Sequence, residues 1–185
     1  MTYELFKMGS LYLGGVAQHV AQTPTKDCDI PKYDGKSFVA IGDTAQDKAI
    51  TWVKPKGMDL LVADRALLTD ISLAQVNAAG FLRGQLITID GTKYTCRLLN
   101  VGKDAEDAHN EWDRCLDIVG EGNDIWHYLS VCFWGREPVT TSSRISYACR
   151  GGYSARYWGS SDIWYGSAGH GFRPALEPWE KGSLY

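Results

Sequence analysis

An α+β fold is what the sequence predicts, on three observations. Only two stretches carry apolar residues at helical spacing, many short apolar runs are cut by Gly, Pro, Asn or Asp, and the connections between them are long and irregular. At 185 residues the chain suits one domain with a proper core, residues 1–60 either completing it or decorating it as a β-rich appendage.

Taken in order, residues 3–14 read as one or two opening strands, with Leu5, Leu11, Tyr12 and Leu13 as candidates for burial and Gly14-Gly15 as the break. Residues 18–36 are polar and punctuated by Pro24, Pro31 and Gly35, which is loop chemistry. Short strands are expected at 36–41, at 49–53 before Pro55 and Gly57, and at 60–62. The first helix is expected between Thr69 and Gly80. Asp70 or Ser72 would cap it, Leu73, Val76 and Ala79 share a face, and Gly80 or Gly84 would end it. Residues 85–99 then read as a hairpin, because Asp90-Gly91 between two β-rich runs suits a turn that needs positive φ at both central positions. Ala105 to Val119 is the second helix, with Ala108, Trp112, Cys115 and Leu116 at helical spacing and acids early. Gly120 to Asn123 breaks it. A helical turn at 124–129, a short apolar segment at 130–134, a strand at 144–150 and a closing strand at 171–176 follow. Pro174 would suit an edge or a point where the ladder breaks. Residues after Pro178 read as a loosely held tail.

Composition excludes several classes of function. A formal net charge of −3 leaves no basic footprint for nucleic acid. No apolar run approaches the roughly 20 residues that span a bilayer, so membrane insertion is not expected. The N-terminal residues lack the positive and apolar regions of a signal peptide, which leads us to expect synthesis in the cytoplasm. The five cysteines (Cys28, Cys96, Cys115, Cys132, Cys149) are scattered, odd in number and without a Cys-x-x-Cys. They read as reduced, mostly buried thiols, with no His at zinc-ligand spacing.

The most informative stretch is Tyr153 to His170. It combines Tyr153, Tyr157, Trp158, Trp164 and Tyr165 with Ser, Gly and Ala, and contains no Lys, Glu, Gln, Met or Leu. Tyr and Trp offer large contact area at low entropy cost, and Ser and Gly offer adaptable polar contacts, the mixture used by antibody binding loops. With no helical or alternating apolar period, it reads as an exposed loop. Tyr153, Arg156, Tyr157, Asp162, Tyr165 and His170 are the expected contact residues, Ser160 is a further ligand-binding residue, and Trp158 and Trp164 form floor or rim of the same site.

Two framework segments bracket this insert. Arg150-Gly151-Gly152 before it and Gly171-Phe172-Arg173-Pro174-Ala175-Leu176 after it resemble the closing motif of the C-type-lectin-like fold in the formylglycine-generating (sulfatase-modifying factor) group. The Gly-Phe-Arg-Pro-Ala-Leu form is most similar to the C-terminus of the variable proteins of diversity-generating retroelements. The resemblance covers roughly residues 110–177 and is sharp over 149–176; the first hundred residues resemble nothing specific. It implies a C-type-lectin-like domain whose residues 150–176 form a ligand-binding, variable region. It also implies templated replacement of adenines, usually in AAC or AAT codons, which cannot yield Lys, Glu, Gln, Met or Trp. The first four are absent from the insert, while Trp158 and Trp164 would then be fixed framework.

The enzymatic relatives bind copper through a cysteine pair shortly after the Arg-Gly-Gly motif. Here Tyr153 to Trp158 contains no Cys, and Ser or Tyr cannot replace soft thiolates at copper(I), so the oxidase activity is not carried over. No catalytic residue, cofactor or metal is expected. Cys149 reads as a buried structural thiol and Arg150 and Arg173 as buried framework arginines needing an acid or carbonyl partner. Trp112, Trp126 and Trp134 read as core. Asp104, Glu106, Asp107, Glu111 and Asp113 lack calcium-loop spacing and read as a solvated helix face. His170 has no paired nucleophile in the sequence, and His19, His109 and His127 are scattered. The expected function is non-catalytic recognition of a protein or glycan on another cell or particle. The alternatives are an intracellular phage-encoded inhibitor or small-molecule-sequestering protein on the same fold and, third, an enzyme of the formylglycine-generating group with a different site.

Overall fold

The computed structural model describes residues 1–20, 30–139 and 145–179. Cys28, Pro24, Arg144 and the tail from residue 180 lie outside the described residues.

Fourteen strands and three short helices make up the described chain, in an α+β arrangement. The largest sheet is antiparallel throughout and runs in spatial order β1 (Tyr3–Met8), β5 (Ile50–Pro55), β6 (Leu61–Ala63), β14 (Pro174–Pro178), β9 (Thr92–Leu98) and β8 (Gln85–Ile89). A second sheet runs β12 (Trp158–Asp162), β11 (Ser146–Gly151), β10 (Cys132–Val139), β13 (His170–Phe172) and β7 (Leu68–Thr69), with only the β10–β13 pair parallel. A small third sheet holds β3 (Val16–Ala17), β2 (Ser10–Leu13) and β4 (Val39–Gly42). The opening and closing segments therefore share the largest sheet.

Both main sheets are buried on two faces along their central strands. Trp52, Trp134 and Leu176 enter one apolar cluster, and their neighbours Val53, Phe133 and Ala175 enter another. That is the two-residue alternation of a strand, written in residues that are apolar on both sides. Trp112 packs edge-on against Trp126 and Phe133, with centroids 5.0 and 4.8 Å apart, at the centre of the second cluster.

Local chemistry explains the helices. Ser72 caps α1 (Leu73–Ala78) in a reciprocal box with Gln75. Asn110 caps α2 (Glu111–Val119), its side chain accepting the Asp113 N–H. The expected helix from Ala105 starts six residues late. Asp104 and Asp107 take the backbone N–H groups of Glu106, Lys103 and His109 into turns that compete with helix. A third helix, α3 (Asn123–Trp126), ends at His127, whose φ is 40°.

Other expectations need correction. Leu5 is exposed, because β1 is an edge strand whose two faces are largely open, whereas Leu11 is fully buried. The expected closing strand 171–176 is two strands in two sheets. Arg173 is the crossing point, and Pro174 opens β14 where its missing N–H costs little. The apolar segment at 130–134 continues to Val139 as β10, while β3 and β7, two residues each, are too short to show a period.

Candidate functional site

The insert leaves the framework at a backbone that demands glycine. Gly151 and Gly152 have φ of 86° and 88°, and a Cβ on Gly152 would sit 2.8 Å from the Cys132 sulfur. The two motifs flank one strand: Phe133 of β10 pairs with Arg150 on one side and Gly171 on the other.

Both framework arginines are buried, with different partners. Arg150 donates to Asp113 Oδ2 at 2.7 Å and to the carbonyls of Val101 and Arg156 at 2.8 Å each. Arg173 has no carboxylate partner among the described residues. It donates to the Trp126 carbonyl and lies over the Phe133 and Trp112 rings, 4.5 and 5.2 Å from their centroids. Burial pulls its pKa down to about 9, against the opposing pull of Asp64.

The first half of the insert is tied to α2. Ala155 is buried and its carbonyl accepts the Trp112 indole N–H at 2.7 Å. Arg156 forks across three acids at four-residue spacing: Glu121 at 2.5 Å, Asp117 at 2.6 Å and Asp113 at 3.3 Å. The hydrogen bonds it donates to Glu121 and Asp117 raise its pKa, so the guanidinium stays charged. Arg156, expected as a ligand contact, is thus committed to the scaffold. The acidic run is likewise not a plain solvated face. Asp113 is buried against Arg150, and Glu111 holds Arg97 at 2.6 Å. Early acids supported the helix that the apolar spacing predicted, but only the fold supplies the arginines they meet.

The insert is also not all loop. Trp158–Asp162 forms β12, an edge strand, paired with β11 from Arg150↔Trp158 to Ser146↔Asp162. Gly and Ser dominate it, so no apolar alternation announced it. Trp158 turns inward, its indole N–H donating to the Gly102 carbonyl at 3.0 Å and its ring packing on the second cluster. Ser160 is exposed, and Asp162 accepts the Trp164 N–H at 2.9 Å to form the turn that follows.

Four aromatics stand out from this support. Tyr153 is 79% exposed, Trp164 75%, Tyr165 52% and Tyr157 39%. They form two groups beyond opposite ends of β12, a strand about 13 Å long by its rise. Tyr153 and Tyr157 meet edge-on, with centroids 5.0 Å apart. Tyr165 stands edge-on to His170, which also packs at a tilt on Trp134, each with centroids 5.0 Å apart. His170 is half-buried, with Nε2 2.9 Å from Ser161 Oγ and Nδ1 3.1 Å from Ser167 Oγ. Burial lowers its pKa, favouring the neutral ring.

Trp164 also walls a cleft of about 430 Å³ whose other lining residues include Asp70, Ser72, Gln75, Ala78 and Gly166. Asp70 sits at φ 56° and its Oδ2 has no hydrogen-bond partner among the described residues. The sequence offered Asp70 as a helix cap. Ser72 takes that role and leaves Asp70 at the cleft. Among the described residues no three His, Cys, Asp or Glu side chains converge in a way that could hold a metal ion, and no helix is long and apolar enough to cross a membrane.

No protein-family model matches the chain, and no curated protein matches it in sequence.

Proposed function

We propose that this chain is a non-catalytic recognition protein that binds a protein or glycan ligand through the aromatic face around β12. The observation that carries this reading is the exposure of Tyr153, Tyr157, Trp164 and Tyr165 on a segment anchored from beneath by Arg156, Ala155 and the β11–β12 ladder. Large aromatics left in water on a fixed support are poised to bury area without further loss of backbone freedom. Ser160 and the Asp70 carboxylate add polar groups at the rim.

The C-type-lectin-like reading belongs to the same proposal. Its support is the resemblance of the two motifs and their placement on either side of β10, where they close the insert at both ends. In that scheme the scaffold stays constant while residues of the insert change, and Trp158, turned inward, belongs with the constant part.

Two experiments test the reading. Sequencing the few kilobases around the gene should reveal a near-copy of the stretch encoding residues 150–176 that differs only where it carries adenine; no copy and no neighbouring reverse transcriptase would remove the diversification. Binding of the labelled chain to a panel of cells and a glycan array should be lost in the Tyr157→Ala/Trp164→Ala/Tyr165→Ala variant with the melting temperature nearly unchanged. Retention of every binding signal in that variant would sink the aromatic face as the site.

A further inference from the structure

The cleft beside Trp164 is built before any ligand arrives. Its two walls, the start of α1 and the turn after β12, are fastened to each other. The Asp70 N–H donates to the Ser167 carbonyl at 3.0 Å and the Ala74 N–H to the Ile163 carbonyl at 2.9 Å. A Cβ on Gly166 would lie 3.1 Å from the Ser72 nitrogen and 3.2 Å from the Asp70 carbonyl oxygen, so the turn approaches as closely as glycine allows. The enclosed 430 Å³ or so falls among pockets that hold small ligands or single side chains.

Two features of this cleft point to one ligand chemistry. Asp70 is half-buried, and its Oδ2 is shielded from water with no hydrogen bond among the described residues. No described Lys or Arg pairs with it. An acceptor stripped of hydration in this way calls for a donor from outside. Trp164, 75% exposed, brings an aromatic face to the same cleft. Asp162, which accepts the Trp164 N–H at 2.9 Å, sets a second carboxylate beside that tryptophan.

We propose that the cleft takes an arginine side chain of a protein ligand, an assignment that rests on recognition through the aromatic face. A guanidinium offers a carboxylate several N–H donors in a fixed plane and stacks that plane on an indole. A lysine ammonium is a compact, strongly hydrated charge that stacks less well, and a neutral sugar brings no charge to the unmet oxygen. The net charge of −3 favours the approach of a cationic partner.

The test titrates the full chain, isotope-labelled at tryptophan, with N-acetyl-arginine amide, its neutral citrulline counterpart and glucosamine, following the indole N–H resonances by NMR. Trp164→Phe identifies the Trp164 peak by its loss. Arginine should move that peak and bind at least about tenfold tighter than citrulline, the effect of losing one charge-assisted hydrogen bond. Asn tolerates the positive φ of Asp70, so Asp70→Asn should leave the other indole peaks in place and weaken arginine by a similar factor, about tenfold. A Trp164 peak unmoved by arginine, moved equally by citrulline, or moved with unchanged affinity in Asp70→Asn would overturn the proposal. Equal binding of glucosamine would overturn it in favour of an amino-sugar glycan. The comparison of probes uses the wild type and decides even should the variant fail to fold. Cell signals lost in the triple aromatic variant with Trp164 unmoved by arginine would sink this proposal alone. Trp164 moved by arginine while every cell signal survives that variant would sink the aromatic face alone.

Discussion

Arg150 and Arg156 both reach Asp113, yet they should differ sharply in what they contribute. Arg150 and Asp113 are almost fully buried, with side-chain exposures of 2% and 8%, whereas Arg156 is 41% exposed and its partners Asp117 and Glu121 more so. Removing one partner of a buried pair leaves an uncompensated charge, so Arg150→Ala should cost about 3–5 kcal/mol. Water screens the Arg156 pairs, so Arg156→Ala should cost about 0–1 kcal/mol. Urea titration of the two variants checks this, and equal losses would contradict it. His170 adds a pH effect whose sign follows from its lowered pKa. Its neutral ring contributes fully above the ordinary value of 6.5, and that contribution is lost as pH falls through the depressed folded value. Between about pH 7 and 5 the wild type should therefore lose melting temperature more steeply than His170→Gln; parallel curves would show the ring makes no difference.

The helix caps give a prediction at the scale of the element. Ser72 accepts the Gln75 N–H and Gln75 reaches back to Ser72, while Asp70 takes no part. Ser72→Ala should cost about 1 kcal/mol and Asp70→Asn less than about 0.5 kcal/mol, measured by denaturant unfolding. The sequence could offer both residues because both favour helix starts; only their positions relative to Leu73 tell them apart. Other elements were legible for equally local reasons. Asp90 and Gly91 do sit at φ 48° and 83° between β8 and β9, since the turn chemistry lies within two adjacent residues. What could not be read was non-local. β12 is a strand because β11 lies beside it, not because Gly159, Ser160 and Ser161 favour strands. The commitment of Arg156 depended on knowing that α2 presents Asp113 and Asp117 to it, with Glu121 just past the helix end. The exposed aromatics were legible by composition, and their division into two groups was not.

For the whole molecule, the closing strand decides whether the chain has a core. β14 lies between β6 and β9 in the largest sheet and sends Ala175 into one apolar cluster and Leu176 into the other. Without it β9 and β8 lose their connection to β5 and β6. A chain ending at Arg173 should therefore fail to fold, giving no cooperative thermal transition in circular dichroism. A normal transition would show that the two halves cohere without it. The sequence placed this strand at the end of the motif but could not show that it is central, since a short apolar run reads alike at an edge or in the middle.

That the second half of the insert starts from the β11–β12 ladder and ends on the β10–β13 ladder has a consequence for tolerance to length. The chain between β12 and β13 is a closed loop whose endpoints are set by ladders it does not form. The cost of closing such a loop grows only logarithmically, about 0.6 kcal/mol for each doubling. Extra residues placed at the tip near Tyr165 should thus be nearly neutral for folding, which makes this connection a natural port for grafted peptides.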